Sequence, residues 1–341
     1  MVSGAARLRA GYRAPRSSAR AEGEPSPEGG GVAGPMSQRE RFDPPVERCR
    51  FRTEGSLSRD ALLAALRSRS GWDTARVASV LRHAALFLDD RPHDASTLPA
   101  RIAPGARVDA HAFVWEPDPI ATGRERILEE SSSWLAADKP AFMTTQRSRA
   151  SARLDLETAL RSLTGCASLT AVHRLDRETS GVVLFAKTHE AAAVLGRAFA
   201  EGRVVKRYVA VVSPPPLRRQ WEVSGFIGRV ADPRRIRFAL RSESAPGFRE
   251  SRSRFTVLSH DAGRARIACE PLSGRTHQLR VHLAASGAPI AGDELYGGRP
   301  EGRTLLHAAE LRLVTGGEEL VLRAPIPADF CAAGASRRFR P

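Results

Sequence analysis

Apolar positions along the chain change texture twice, near residue 55 and again near residue 124. Residues 1–55 mix Gly, Pro, Ser, Arg and Glu with no sustained apolar period. Such a composition cannot bury enough surface to offset the entropy of ordering, so it predicts a disordered basic tail. In "SLSRDALLAALRSRSGWDTARVASVLRHAAL", Leu57, Leu62, Leu63 and Leu66 form one helical stripe, and Val77, Val80 and Leu81 form a second. Small strands around the turn "APG" follow, which gives a compact α+β module over 56–118. Beyond Arg124, "RILEESSSWLAADKPAFMTTQ" reads as strand, turn at Asp138-Lys139-Pro140, and short strand. "LDLETALRSLTG" is a helix capped by Gly165, and "HEAAAVLGRAFAEGRV" is another. "SGVVLFAKT" is a buried strand. "VKRYVAVVS" is a strand stopped by Pro214, Pro215 and Pro216. Further strands are expected in "WEVSGFIGRV", "RFTVLSH", "ARIACEPL", "LLHAAELRLV" and "EELVLRAP". "GRTHQLRVHLAASG" reads as a loop entering a helix that ends near Gly287. Strands outnumber helices and mostly adjoin one another, so the expected class over 124–335 is α+β with a mixed, largely antiparallel sheet.

Charge changes this picture more than composition does. A hydrophobic content of 42% over 341 residues fits two or three folded domains with real cores. The excess of 53 Lys and Arg over 38 Asp and Glu gives +15, which favours a polyanionic partner, because cations that neutralise phosphates release condensed counterions. Cys49, Cys166, Cys269 and Cys331 lie far apart, with no CxxC pair, so neither a disulfide framework nor a zinc site is expected and a reducing cytoplasm fits. No apolar run approaches the roughly twenty residues that span a bilayer. The Arg-rich start lacks a secretory core and reads as a flexible tail, or as sequence ahead of a true start at Met36.

Two polar clusters carry candidate chemistry. "AVHRLDRETSGVVLFAKT" sets His173, Arg174, Asp176, Arg177, Glu178, Thr179 and Ser180 against a buried strand. A carboxylate between two arginines on a tight turn is expected ionised at neutral pH, which suits a nucleophile or a base. About a hundred residues on, "GRTHQLRVHLAASGAPIAGDELYGG" supplies Arg275, His277, Gln278, Arg280 and His282, then Asp293 and Tyr296. Alternation across "RTHQLRVH" lets Leu279, Val281 and Leu283 pack while Arg and His face the other way. An Asp on one turn and an Arg on a distant element are the parts of a buried charge-assisted pair.

"HRLDRETSG" resembles the HRLDxxTSG signature of the RluA-type pseudouridine synthases. The later cluster, "LLHAAELRL…LRAPIPADF", "DKPA" and "KRYVAVV" resemble that family's other motifs in order, over roughly Ile127 to Phe330. The resemblance implies a pseudouridine-synthase-like sheet with a central cleft, and isomerisation of uridine within RNA without cofactor or metal. It implies that Asp176 is the catalytic carboxylate, that Arg280 pairs with it, and that Tyr208 lies against the target ring. Arg174 is expected to enter the space left by the flipped base, with Leu279 lining the pocket. His173, Arg275 and Gln278 complete the expected substrate-binding set, Arg275 with His277 and His282 as scaffold or phosphate contacts. The module at 56–118 resembles the small RNA-binding domain of ribosomal protein S-four, although "DDRP" stands where that family has Asn-Gly. The implied partner is structured RNA, either rRNA or tRNA, for a cytoplasmic monomer with no membrane association. Two rivals remain. One is a non-catalytic RNA-binding or ribosome-assembly protein of the same fold. The other is a hydrolase using Ser180, His173 and Asp176, which would lack the usual nucleophile elbow.

Overall fold

The structure is a computed structural model that describes residues 46–330 except 114–119, 121, 149, 152–153, 233–235, 262 and 316. The N-terminal part contains β1 (Val46–Arg52), β2 (Leu57–Ser58), helices α1 (Arg59–Ser70) and α2 (Thr74–Arg82), β3 (Leu86–Leu88), β4 (Arg91–His93), β5 (Arg101–Ile102) and β6 (Arg107–Phe113). Four strands pair in the order β1-β6-β3-β4, and β2 pairs with β5. Their core includes Leu62, Leu66, Trp72, Val80, Leu98 and Val108. Ser58 caps α1 by accepting the Ala61 amide, so Leu57 falls in β2 and not on the first helical stripe.

The expected tail over 1–55 is too long. Residues 1–45 lie outside the described residues, but Val46–Arg52 forms β1, paired along its whole length with β6. Cys49 is the one residue of this strand that is buried, so its apolar pattern is weak. Charge holds it instead: Arg48 forks onto buried Asp109 through Nε and Nη2, both at 2.6 Å, and Arg50 reaches the same carboxylate at 3.2 Å. The "DD" turn between β3 and β4 also has a physical reason. Asp89 and Asp90 both take positive φ, 47° and 67°, the conformation that Asn-Gly supplies in tight hairpins. Asp tolerates it because its short side chain bonds nearby backbone: Asp89 accepts the Arg107 amide at 2.9 Å. His83, at the end of α2, meets Ser151 of the following region at 2.9 Å.

That region contains β7 (Ile127–Glu130), β8 (Trp134–Lys139), α3 (Leu156–Thr164), β9 (Thr170–Ala171), β10 (Ser180–Ala186), α4 (His189–Ala200), β11 (Val205–Val212), β12 (Gln220–Val230), β13 (Arg237–Arg241), β14 (Phe248–Asp261), β15 (Arg264–Pro271), α5 (Gln278–Ala285), β16 (Leu306–Thr315) and β17 (Glu318–Arg323). One sheet runs β13-β12-β14-β15-β11-β16-β10-β8-β7, with β17 on β16 and β9 on β10. The β10–β16 pair is parallel and the other strand pairs described are antiparallel, as the sequence pattern implied. The stretch after Pro140 carries isolated bridges rather than the expected short strand. β13 was not anticipated, because its Phe238 and Leu240 are a short apolar pair between Arg237 and Arg241. Two apolar cores occupy the two halves of the sheet, one around Leu135, Val183 and Leu184, the other around Val211, Phe255 and Ile267. Tyr208 touches both.

Candidate active site

The chain leaves β9, turns through residues 172–179 and enters β10. Several backbone groups of that turn are anchored. Thr145 Oγ1 accepts the Leu175 amide at 3.1 Å and donates to the Leu175 carbonyl at 3.3 Å. Lys139 is fully buried, and its Nζ donates to the carbonyls of Met143 (2.7 Å), Pro140 (2.9 Å) and Arg177 (3.1 Å). The Thr179 amide donates back to the Asp176 carbonyl at 3.1 Å. Asp176 therefore sits on a braced turn with its side chain half-buried, and Arg174 two residues before it is exposed. Gly181 completes the turn: at φ 116°, a Cβ there would lie 2.2 Å from the Ala308 carbonyl, so only glycine lets β10 run against β16.

The second cluster is carried by α5 and its flanks, within electrostatic reach of the first. The helix is buried nearly all round, so the alternation read in "RTHQLRVH" is not a strand facing two ways. Arg280 and Asp293 are each about 1% exposed and form a fork, Nε to Oδ2 at 2.7 Å and Nη2 to Oδ1 at 2.8 Å. Gly292 makes this possible, since a Cβ there would meet the Arg303 carbonyl at 1.8 Å. The Tyr296 ring lies 5.2 Å from the Arg280 guanidinium carbon. His277, at φ 55°, precedes the helix, and its Nδ1 is 2.8 Å from the Tyr296 hydroxyl.

Tyr208 enters from β11, where a register shift after Arg207 opposite β16 sets its direction. Burial, reinforced by the Asp176 carboxylate, pushes its phenol well above the ordinary range, so the proton stays on. Burial pulls the Lys139 ammonium down to about 7, against the opposing charges of Glu178 and Asp176. Burial also lowers His277, and Asp176 is the strongest charge acting against that shift. Three elements distant in sequence thus converge on one carboxylate.

The family described as RNA pseudouridylate synthase matches residues 133–285. An uncharacterized RNA pseudouridine synthase of Zymomonas mobilis is 31% identical over 219 residues, 62% of this chain and 97% of its own length. The chain belongs to the RNA pseudouridine synthase family. Ribosomal large subunit pseudouridine synthase C of Rickettsia prowazekii is 32% identical, over 60% of this chain and 69% of that one. The structure of human RNA pseudouridylate synthase domain containing 1 superposes with a TM-score of 0.51 at 29% identity, covering 60% of this chain and 86% of that one. Among the described residues, no helix is long and apolar enough to cross a membrane.

Several residues of this RluA-type pseudouridine synthase stand apart from their expected places. Arg280 was expected to pair with Asp176, but its fork closes on Asp293, because the turn after Gly292 delivers a carboxylate directly beneath α5. Gln278, expected at the substrate, is 4% exposed. Its amide nitrogen donates to the Arg252 carbonyl and Ser253 Oγ, and its oxygen accepts from Ser273 Oγ and the Arg275 amide. His173 Nε2 accepts the Leu184 amide at 3.0 Å while its ring stacks on Phe199 at 4.4 Å, and burial lowers it to about 3. Both side chains are spent on scaffold. Leu279 packs in the core of the β11, β14 and β15 half. Arg275 is half-buried and donates Nε to the Glu250 carbonyl at 2.9 Å. The Ser180 hydrolase arrangement is absent: buried Ser180 meets His307 at 2.9 Å and accepts from Arg303 at 3.1 Å, while His173 faces Leu184. In the sequence Lys139 stands only in a turn, and Asp293 only at the end of the second polar cluster. The signal that could have raised them was a charged residue beside Pro140 and another after Gly292, each next to an apolar run.

Proposed function

We propose that this synthase isomerises a uridine of large-subunit rRNA, with Asp176 as the catalytic carboxylate. The bond from the ribose carbon to ring nitrogen 1 breaks, the bond to ring carbon 5 forms, and the proton on carbon 5 is lost as nitrogen 1 gains one. The observation that carries this reading is the braced turn. It fixes the Asp176 backbone and leaves its carboxylate half-exposed, beside a protonated Tyr208 and within electrostatic reach of His277. A target base must leave its stack to reach such a carboxylate, at a cost of roughly a few kcal/mol. Exposed Arg174 is placed to fill the gap, its planar guanidinium stacking where the base had been. Tyr208, holding its proton, lies against the everted ring as a wall, and the Arg280–Asp293 fork keeps α5 in place behind it.

The module at 46–113 serves as an RNA-binding unit, its sheet and helices carrying Arg48, Arg50, Arg59, Arg67, Arg76 and Arg107. Similarity to ribosomal large subunit pseudouridine synthase C favours rRNA over tRNA. The cytoplasm, where ribosomal RNA is modified, is the compartment this requires. The test is a map of pseudouridines in rRNA and tRNA from a strain lacking the gene, complemented with the native protein or with Asp176→Asn. Sites that vanish on deletion return with the native protein and stay absent with the variant, which still binds RNA and melts normally. Restoration of those sites by Asp176→Asn would refute the assignment and favour an RNA-binding role.

A further inference from the structure

The geometry points to Arg303 as a positioning residue for Asp176, one that ties the end of the Asp176 turn to the segment leading into Asp293. This rests on the reading that Asp176 acts on the substrate. Asp329, in the short 3-10 turn Ala328–Phe330, takes a fork from the guanidinium, Nε to Oδ2 at 2.7 Å and Nη2 to Oδ1 at 3.0 Å. The buried Phe330 ring lies 5.1 Å from the guanidinium carbon. The fork fixes the plane of the group and leaves Nη1 to donate to Ser180 Oγ at 3.1 Å, 123 residues away in sequence. With that donor directed into it, the Ser180 hydroxyl gives its own proton to His307 Nδ1 at 2.9 Å. Ser180 is therefore held by its side chain as well as by its pairing with His307 across β10 and β16. Its neighbour Thr179 donates its amide to the Asp176 carbonyl at 3.1 Å, which passes the restraint to the turn.

The main chain of the same residue is fixed to the second cluster. The Arg303 carbonyl runs so close to Gly292 that a Cβ there would lie 1.8 Å from it. Just beyond, Thr304 Oγ1 donates to the Gly292 carbonyl at 3.4 Å, and the Leu305 amide to the Ala291 carbonyl at 2.9 Å. Ala291 and Gly292 lead straight into Asp293, which holds Arg280 beneath α5. One residue thus meets both polar clusters, backbone on one and guanidinium on the other. The rate is sensitive to such a tie, because misplacing a reacting group by about 1 Å costs on the order of a hundredfold. Lysine at 303 would keep the charge but lose the fork and the fixed direction of Nη1.

Amide hydrogen exchange of the full chain reads the turn directly. In Ser180→Ala and in Arg303→Lys, the Thr179 amide is expected to exchange about tenfold faster, the net worth of one hydrogen bond, while the Leu184 amide further along β10 keeps its native rate. Single-turnover pseudouridine formation on transcribed large-subunit rRNA and on bulk tRNA supplies the second arm. At saturating RNA each variant is about tenfold slower with RNA affinity unchanged. The double variant is no slower than either single one, because both break the same tie. Asp329→Asn, at the exposed end of the fork, shifts both readouts in the same direction by less, and decides the matter if a change at 303 or 180 prevents folding. An unchanged Thr179 amide, equal acceleration at Leu184, a loss confined to affinity, or variants as fast as the native protein refute the positioning role. If the native protein modifies neither RNA, the substrate assignment fails, and the exchange measurement still decides the tie.

Discussion

Replacing Asp293 by Ala removes the fork from a buried guanidinium. Arg280 loses two charge-assisted hydrogen bonds at 2.7 and 2.8 Å, each worth about 1.5–3 kcal/mol. With both partners about 1% exposed, water cannot replace them. Breaking a buried pair from one side costs about 3–5 kcal/mol, which agrees with the sum of the two bonds. The Tyr296 ring at 5.2 Å faces the guanidinium before and after the change and so cancels, which leaves about 3–5 kcal/mol as the expected loss. Urea unfolding measures it, with an unchanged slope showing that the denatured state is not altered. The half-exposed pair Arg203–Glu201, at 2.7 Å, is the internal control: Glu201→Ala costs at most about 1 kcal/mol despite the same distance. The double variant Arg280→Met, Asp293→Leu recovers most of the lost stability, because removing both charges also removes their desolvation cost. It does not recover pseudouridine formation. A loss below about 1 kcal/mol in Asp293→Ala, or a double variant weaker than the single one, refutes the reasoning.

Two pH effects follow from the buried cations. Lys139 releases its proton near 7 in the folded protein and at the ordinary 10.5 when unfolded. Between those values the unfolded chain binds more protons, so this group makes stability rise with pH, on the order of a few kcal/mol by pH 10. Lys139→Met loses that rise and also loosens the turn beneath Asp176; urea midpoints from pH 7 to 9.5 that are parallel for the two proteins would contradict this. His282 is buried between Ser251 and Ser253, both at 3.0 Å, and burial lowers it from 6.5 to about 4. The unfolded chain takes up the proton first on acidification, so the group's contribution is lost as pH falls from 6.5 to 4, about 3 kcal/mol in all. His282→Gln shows a correspondingly shallower acid limb in thermal melts, and an unchanged limb would place the titration elsewhere.

Local rules were enough for much of this protein. The cap at Gly165, the stripes of Leu62 with Leu66 and of Val77 with Val80, and the apolar run Val182–Phe185 each depend on neighbours a few residues away. The polar cluster around Asp176 was legible for the same reason, since "HRLDRETSG" is contiguous. β1 and β13 were not legible: β1 carries arginines at alternate positions, β13 is a five-residue segment with an arginine at each end, and each becomes a strand only when β6 or β12 pairs with it. The partner of Arg280 was also beyond reach. Asp176 and Asp293 are both acidic residues on turns, and spacing along the chain does not rank them. What ranked them was the path after Gly292, where a glycine conformation and a close carbonyl bring Asp293 under α5. The scaffold roles of His173 and Gln278 arose likewise, because a backbone amide from β10 and a carbonyl from β14 reach them first. Sequence determined which groups are present and the short elements that carry them. Tertiary structure decided which charge meets which, because that choice is made by contacts between residues far apart in the chain.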